Sequence, residues 1–147
     1  MLTSSQTGAV AETAIMHAAV RLGIGVYRPI VEGGRYDLIL DGGTRLIRVQ
    51  CKSAVLRGNV VAVRCRSCRR GPNGFIRRSY TSNEADAIAT YCAELDRCYL
   101  LPLDRFSGRT EIRLRLTPAR NNQKSGGELG GRLPHRISRL ALATMGP

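Results

Sequence analysis

A chain of 147 residues with 43% hydrophobic residues is long enough for one domain with a single buried core, and its composition excludes a disordered chain. The formal net charge of +12 favours a polyanionic partner such as nucleic acid, although a basic protein from an arginine-rich proteome would carry the same charge. No apolar run approaches the roughly 20 residues of a membrane span, and the N-terminus lacks the features of a secretory signal, so we expect a cytoplasmic protein.

The first predicted element is a helix from Thr7 to Leu22, with Thr7 as its cap, an alanine-rich interior and Gly23 at its end. Glu12 lies in the early turns of this helix, where the helix dipole favours a carboxylate. An ordinary surface acid is therefore one interpretation of Glu12. A short extended segment around Val26–Val31 follows.

Residues 33–52 contain the most informative pattern of the chain. They predict two strands, Tyr36–Leu40 and Arg45–Lys52, joined by a tight turn at residues 41–43. The turn reads Asp-Gly-Gly, and such sequences supply the positive φ angles that short hairpin turns require. The hairpin therefore brings Asp37, at the start of one strand, close to the second strand.

Side chains alternate along the second strand, so Gln50 and Lys52 are expected on one face and Val49 and Cys51 on the other. The lysine is unusual in this chain, because 21 of the 23 basic residues are arginine. A lysine ammonium can take part in proton transfer, whereas an arginine cannot. The hairpin therefore gathers a carboxylate, an amide and a titratable amine.

A third strand is predicted at Asn59–Arg66, after a turn at residues 57–59. Residues 65–78 then form a predicted loop rich in arginine, with Phe75 and Tyr80 nearby for stacking. Such a loop is either a solvated surface or an arm that contacts nucleic acid, and we favour the second interpretation. The candidate DNA-binding residues are Arg66, Arg69, Arg70, Arg77, Arg78 and Tyr80.

The second half of the chain predicts a helix that begins near Asn83, then strands at Cys98–Leu103 and Thr110–Leu116. The resulting order of elements predicts a mixed α/β (α+β) domain with one sheet. This domain is expected to span residues 1–124, because residues 125–132 are dense in glycine and are interpreted as a flexible linker at the start of a glycine-rich C-terminal tail, residues 125–147. Residues 136–145 could form a short basic helix or a frayed tail.

The five cysteines agree with a reducing compartment, because an odd number does not fit a complete disulfide framework. Cys65 and Cys68, together with Cys92 and Cys98, would supply the four thiolates of a zinc site. The second pair has five intervening residues, which is outside the usual ligand spacing, so zinc is disfavoured. The alternative is that Cys51, Cys92 and Cys98 are small core residues.

Two short motifs, Arg35-Tyr36-Asp37 and Gln50-Cys51-Lys52, together resemble the signature of PD-(D/E)xK nucleases, in the variant in which Gln replaces the second acid. The closer resemblance is to a branch of that superfamily that contains group I intron-encoded homing endonucleases. It covers roughly residues 5 to 125. Further similar segments lie at Gly8–Glu12, Tyr80, Asp86–Cys92, Cys98–Leu103 and Arg120–Lys124.

The resemblance implies a restriction-endonuclease-like αβββαβ core and a magnesium-dependent DNA endonuclease, with manganese as an alternative metal. By resemblance, the catalytic residues would be Glu12, Asp37, Gln50 and Lys52. The metal ligands would be Asp37, the Gln50 side chain and the backbone carbonyl of Cys51, with Glu12 joining directly or through water. Lys52 would orient or deprotonate the attacking water, or stabilise the developing charge.

Cleavage of both strands of double-stranded DNA with one site per chain requires at least a dimer, so we expect a homo-oligomer, either a dimer or a tetramer. Two other functions remain open at this point. One is a non-catalytic nucleic-acid-binding module on a nuclease fold, which the missing second acid would favour. The other is a junction resolvase or restriction-type nuclease.

Overall fold

A single long helix, α1 (Ser4–Arg21), opens the fold and starts one turn earlier than the sequence predicted. Thr3 is its N-cap, because the Thr3 hydroxyl accepts a hydrogen bond from the Gln6 N–H at 3.2 Å and the Gln6 side chain accepts one from the Thr3 N–H at 2.9 Å. This reciprocal capping box moves the start away from the predicted cap at Thr7. Gly23, at a φ of 69°, follows the helix, as predicted.

The computed structural model describes residues 1–117, and the predicted tail at residues 125–147 lies outside them. Eleven helices and strands lie in the described part of the chain. They are α1 (Ser4–Arg21), β1 (Gly25–Tyr27), β2 (Leu38–Asp41), β3 (Leu46–Arg57), β4 (Val60–Arg64), β5 (Arg66–Gly71), β6 (Gly74–Ser79), β7 (Ala87–Cys92), β8 (Arg97–Pro102), α2 (Leu103–Phe106) and β9 (Glu111–Arg115).

Seven strands form one mixed sheet around β3, which is its longest strand. The antiparallel path runs β1-β2-β3-β4-β9, whereas β7 pairs with β3 in parallel and β8 pairs with β7 in antiparallel. A separate two-stranded sheet is formed by β5 and β6. The predicted mixed α/β class with one central sheet is therefore confirmed, with an additional β-hairpin.

Each face of the central sheet has its own hydrophobic cluster. On one face, Ile15 and Ala19 of α1 pack against Leu40 and Val49, with Ala87 and Ala89 from β7 completing the layer. On the other face, Ile88 packs with buried side chains from β4, β8, β9 and α2. Because Ile88 and Ala89 are neighbours in sequence but lie in different clusters, β7 is buried on both faces.

The helix predicted near Asn83 is wrong, because the structure has strand β7 at Ala87–Cys92. The apolar residues at positions 85, 88, 89 and 92 fit a helical period. A strand buried on both faces is also apolar throughout, so this period does not separate the two structures. Asp86, predicted in a helix cap, instead accepts hydrogen bonds from Arg48 of β3.

The loop predicted between Cys65 and Arg78 is also wrong, because these residues form strands β5 and β6. Both faces of this hairpin are largely exposed, so its sequence lacks the alternation of apolar and polar residues that marks a half-buried strand. The other predicted strands are present with shifted ends. Within the residues that the structure describes, no helix is both long and apolar enough for a membrane span.

Candidate active site

The site is built around a gap along one edge of β3. Strand β2 pairs with β3 at residues 46–49 and β4 pairs with it at residues 54–57, while β7 pairs with residues 49–54. Val49 has partners in both β2 and β7, and Ala54 has partners in both β4 and β7. Strands β2 and β4 therefore occupy the same edge, and residues 50–53 lie between them.

Asp37 fills part of this gap with its carboxylate. Its backbone N–H donates to the Val49 carbonyl at 2.9 Å, which continues the ladder by one residue beyond β2. Its Oδ2 then accepts a hydrogen bond from the Cys51 N–H at 2.8 Å. The gap between the two neighbouring strands is what lets a side-chain oxygen reach the backbone of β3.

Three groups of the predicted metal-ligand set converge on one point. The Gln50 Nε2 atom donates to Asp37 Oδ2 at 2.5 Å and lies 3.4 Å from the Cys51 carbonyl oxygen. Because both oxygens accept from the same nitrogen, both could also bind one cation. Gln50 is 8% exposed, so this contact is shielded from bulk water.

The Asp37 carboxylate is held in an environment that disfavours its charge. Burial raises the pKa of Asp37, and the Cys51 N–H and the cations of Lys52 and Arg28 offset only part of this effect. Gln50 contributes a hydrogen bond but no charge. The aspartate is therefore half-buried without a full counter-charge in direct contact, an arrangement that a bound cation would relieve.

Glu12 of α1 lies next to the same site. Its Oε1 atom is buried and forms an ion pair with Arg28 at 2.9 Å, without hydrogen-bond geometry. Glu12, Arg28 and Asp37 line one cavity of about 310 Å³, whose remaining wall is the loop at residues 29–36. Both carboxylates also raise the pKa of the neighbouring Cys51 thiol, although burial is the larger cause.

The Lys52 side chain lies on the face of the sheet opposite α1, the helix that carries Glu12. Its Nζ atom lies 5.0 Å from the centre of the Tyr80 ring, and Tyr80 belongs to the cluster on the face opposite α1. Cys51 packs in the cluster on the α1 face, so the alternation predicted along β3 is confirmed. The structure thus brings Glu12, Asp37, Gln50 and Lys52 to one region of β3.

The predicted DNA-binding arginines lie on the hairpin formed by β5 and β6, which we call the basic hairpin (residues 66–79). Arg66, Arg69, Arg70 and Arg77 are exposed and have no ion-pair partner among residues 1–117. Arg78 differs, because it forms an ion pair with Glu84. Phe75, near the tip, is 70% exposed.

The strand register divides the basic hairpin into two faces. Cross-strand partners share a face, so Arg66, Arg70 and Arg77 lie on one face together with Phe75. The other face carries Ser67 and Arg78, both of which contact residues outside the hairpin. The first face therefore carries three exposed arginines, whereas the second face carries exposed Arg69 beside the two residues that contact the rest of the protein.

The stacking contact predicted for Tyr80 does not agree with its position. Its side chain is 4% exposed and packs in the hydrophobic core, so the ring cannot stack on a nucleic-acid base. The Arg35 guanidinium lies 4.2 Å from the centre of this ring. Tyr80 is thus an internal residue, adjacent to the end of the basic hairpin.

Cys65 and Cys68, the pair considered for zinc, differ in their exposure to solvent. Cys65 is buried, and burial raises the pKa of its thiol to about 12, whereas Cys68 is exposed on the basic hairpin. Zinc binds thiolates, and a high pKa disfavours the thiolate. Within the described residues, no group of three or more His, Cys, Asp or Glu side chains is arranged to hold a metal ion.

The sequence predicts no role for two site residues, Arg28 and Arg35, although Arg35 belongs to the first motif. Arg28 pairs with Glu12, and Arg35 donates to Glu84 at 3.2 Å and to the Ser79 carbonyl at 2.7 Å. Arg28 and Arg35 lie in an irregular segment before β2, where no periodicity indicates the direction of a side chain. Only the approach of distant parts of the chain gives them partners.

The residues present fit a hard divalent cation. Two oxygens, Asp37 Oδ2 and the Cys51 carbonyl, already converge on one donor, and rotating the Gln50 amide would replace its N–H group there with an oxygen. Mg²⁺ prefers such oxygen ligands and retains several waters. With a neutral amide in place of a second acid, the attraction for the cation is weaker than in a site with two carboxylates.

Comparisons with known proteins agree with this geometry. The family described as PD-(D/E)XK endonuclease matches residues 2–128 of this chain. The fold is similar to that of a bacterial homing endonuclease, I-Ssp6803I, with a TM-score of 0.69 and 29% sequence identity over 84% of this chain and 86% of that chain. No curated protein sequence matches the chain.

Proposed function

Because the chain belongs to the PD-(D/E)XK endonuclease family, we propose that it is a metal-dependent, sequence-specific DNA endonuclease of the homing type. The observation that carries this proposal is the convergence of Asp37 Oδ2, the Gln50 side chain and the Cys51 carbonyl at the open edge of β3. The homing endonuclease I-Ssp6803I, similar over most of both chains, supports the finer assignment.

In this proposal, Asp37, the Gln50 amide oxygen and the Cys51 carbonyl would hold a magnesium ion, and Glu12, which lines the same cavity as Asp37, would join through water. The bound ion supplies Lewis-acid stabilisation of phosphate charge and a more acidic water molecule. Partial burial of Asp37 lowers the dielectric around its carboxylate, which strengthens its attraction for a cation. The neutral Gln50 leaves the ion partly dependent on the charge of the DNA phosphate.

Lys52 acts on the reacting groups directly in this scheme. Its ammonium lies on the same face of β3 as Gln50 and is close enough to influence the Asp37 carboxylate. From there it can orient the attacking water and stabilise the negative charge that develops on the phosphate oxygens. Arg could stabilise charge at this position but could not exchange a proton.

The exposed face of the basic hairpin supplies the proposed DNA contact. A two-stranded β-ribbon fits the major groove of DNA, and this face presents three arginines and Phe75. Most of the arginine contacts would be to phosphate, which positions the DNA without reading its sequence. Arg78 is assigned to anchoring the hairpin, because Glu84 already neutralises it.

Double-strand cleavage adds the requirement for a second site, so we propose a homo-oligomer. Sedimentation equilibrium of the wild-type protein, with and without a DNA duplex, measures the assembly directly. A dimer or tetramer agrees with the proposal. A protein that stays monomeric on DNA while it cuts both strands at one position would contradict this part.

The central experiment incubates wild type, Lys52→Ala and Asp37→Ala with a mixed plasmid library, in Mg²⁺, in Mn²⁺ and in EDTA. We expect metal-dependent, discrete fragments from wild type, and no fragments from the two variants, which should retain salt-sensitive DNA binding. The matched control is Arg97→Ala, an exposed arginine at the start of β8 whose removal changes the net charge by the same amount as Lys52→Ala.

The outcomes separate the competing functions. Cleavage by Lys52→Ala at the wild-type rate would contradict the role of Lys52, and loss of DNA binding in both variants would contradict their assignment to chemistry. The non-catalytic module is supported if wild type binds DNA but cuts no member of a library that contains the matched target in any metal. Selective cleavage of branched DNA would instead identify a junction resolvase.

A further inference from the structure

The contact between Lys52 and Tyr80 joins the proposed catalytic centre to the hydrophobic core. The Lys52 Nζ atom and the Arg35 guanidinium lie 5.0 Å and 4.2 Å from the centre of the same ring. Both distances are within the range in which an aromatic face attracts a cation. A lysine side chain has several rotatable bonds, so a fixed partner restricts where its ammonium lies.

Tyr80 is itself held firmly in place. Its ring is buried among hydrophobic side chains, and the Gly108 N–H donates to the Tyr80 carbonyl at 3.1 Å. Arg35 donates to the carbonyl of Ser79, the preceding residue, and to Glu84 beyond it. The N–H of Thr81, the residue after Tyr80, lies 3.3 Å from Glu84 Oε2, the oxygen that also accepts from Arg35.

The same group of contacts reaches the basic hairpin. Arg35 donates through its second amino group to the Ser67 hydroxyl at 2.9 Å, and Ser67 donates to the Arg78 carbonyl at 3.2 Å. Arg78 in turn pairs with Glu84. Although partial burial raises the pKa of Glu84, the hydrogen bond and charge of Arg35 outweigh it and lower the pKa, so the carboxylate is ionised near neutral pH.

We propose that Tyr80 is a positioning residue for Lys52, and that Arg35 and Glu84 fix the Tyr80 ring relative to the base of the basic hairpin. The aromatic face holds the ammonium beside the open edge of β3. The inference rests on the proposed function, because the consequence of this position is the rate of DNA cleavage. The ring and not the hydroxyl carries the effect.

The two lysines of the chain make a direct test possible. Protein labelled with ¹³C at the lysine Cε gives two signals, and Lys124→Arg assigns them. In wild type without metal or DNA, we expect the Lys52 Hε protons to be shifted upfield by the ring current of Tyr80, with nuclear Overhauser contacts to its ring protons. Tyr80→Phe should retain the upfield shift, and Tyr80→Leu should lose it.

Cleavage kinetics provide the second measurement. Under single-turnover conditions with saturating protein and Mg²⁺, we expect Tyr80→Phe to cleave at the wild-type rate and Tyr80→Leu to be slower by about tenfold, with the Kd for DNA unchanged. A merely structural defect would lower the fraction of active protein. It would not make the Lys52 chemical shift and the cleavage rate depend together on an aromatic ring at position 80. Thermal unfolding confirms that the compared variants are folded.

Each outcome is decisive. An unshifted Lys52 signal without contacts to the ring in wild type would overturn the proposal, and this measurement needs no Tyr80 variant to fold. A Tyr80→Leu protein that loses the shift but cleaves at the wild-type rate would overturn the positioning role. A wild type with the shift and no cleavage of its matched target would refute the proposed function, and the catalytic consequence with it.

Discussion

Two aspartates cap backbone N–H groups of the same strand, yet their surroundings are opposite. Asp37 Oδ2 accepts from the Cys51 N–H at 2.8 Å, and Asp86 Oδ2 accepts from the Arg48 N–H at 2.7 Å. Asp86 also binds the Arg48 guanidinium through both of its oxygens, at 3.2 and 3.1 Å. The side-chain partner of Asp37 is the neutral amide of Gln50.

The electrostatic consequence follows from these partners. Burial raises the pKa of both carboxylates, but the hydrogen bonds and charge of Arg48 outweigh it at Asp86 and lower the pKa there. At Asp37 burial prevails and the pKa is raised. An aspartate whose charge is compensated within the protein holds the fold, and one whose charge is not compensated is available to a ligand.

The largest expected effect separates the two aspartates by substitution with asparagine. Asp37→Asn should lower DNA cleavage by about a thousandfold, since a metal ligand contributes several kcal/mol to catalysis, and should leave Tm equal or higher. Asp86→Asn should lower the free energy of unfolding by about 2 kcal/mol, because it weakens charge-assisted hydrogen bonds, and should reduce Tm by about 4–8 °C. Thermal unfolding and cleavage assays measure both quantities.

The two substitutions serve as controls for each other, because each removes one carboxylate that accepts a β3 N–H. Cleavage per folded molecule should be unchanged in Asp86→Asn below its Tm. If Asp37→Asn were the less stable variant, or if Asp86→Asn abolished cleavage while folded, the distinction between a structural and a functional aspartate would fail.

The second expected effect concerns Gln50, the neutral partner that distinguishes Asp37 from Asp86. Gln50→Glu should tighten Mg²⁺ binding in the absence of DNA by about tenfold, because a second carboxylate adds charge beside Asp37. Without metal the variant should be less stable than wild type, since two carboxylates at the present 2.5 Å contact cannot both ionise freely. Isothermal titration calorimetry and thermal unfolding with and without Mg²⁺ test both effects.

A matched substitution sharpens this test. Gln6→Glu, in the first turn of α1, introduces the same charge at an exposed position nearly two helical turns before Glu12 and should leave the affinity for Mg²⁺ unchanged. Equal metal affinity in Gln50→Glu and wild type would indicate that the Gln50 side chain does not contact the metal, and the proposed ligand set would be wrong.

The placement of Gln50 and Lys52 on one face of β3 could be predicted from the sequence, because side chains alternate along a strand. The interpretation of residues 83–92 failed because a fully buried strand such as β7 has no alternation, and its apolar residues also match a helix. The prediction of a loop at the basic hairpin failed for the opposite reason. Both faces of this hairpin are exposed, so its sequence has no alternation of apolar and polar residues. Arg28 and Arg35 gain their partners only when the irregular segment before β2 folds against distant residues.

A smaller effect is expected at Arg28, which lies beside the carboxylates of Glu12 and Asp37. The sequence predicts no role for this arginine. Arg28 pairs with Glu12 and also lowers the pKa of Asp37, so it would compete with the proposed cation for the same charges. Arg28→Gln should strengthen Mg²⁺ binding in the absence of DNA by about threefold, a modest change because the Arg28 side chain is 60% exposed and screened by solvent.

Calorimetry at low ionic strength measures this change, and Arg97→Gln provides a control with the same loss of net charge at the exposed start of β8. Equal effects of the two substitutions would show that the gain reflects the overall charge of the protein. Weaker metal binding in Arg28→Gln alone would contradict competition and would indicate that Arg28 supports the site.

The finest separation of the two aspartates is in their pH dependence. Asp86 has a lowered pKa, so its contribution to stability is complete above its ordinary value of 3.8 and is lost as the pH falls through its lower, folded value. Asp37 has a raised pKa, so in the folded protein it takes up a proton above that ordinary value, and protonation favours the folded state. On acidification, Mg²⁺ should therefore dissociate at a higher pH than that at which the fold is lost.

Titration calorimetry and circular dichroism over the same pH series measure the two midpoints, and Asp86→Asn should move only the unfolding midpoint. Coincident midpoints in wild type would mean that one group, or one cooperative event, controls both, and that the two aspartates are not electrostatically distinct.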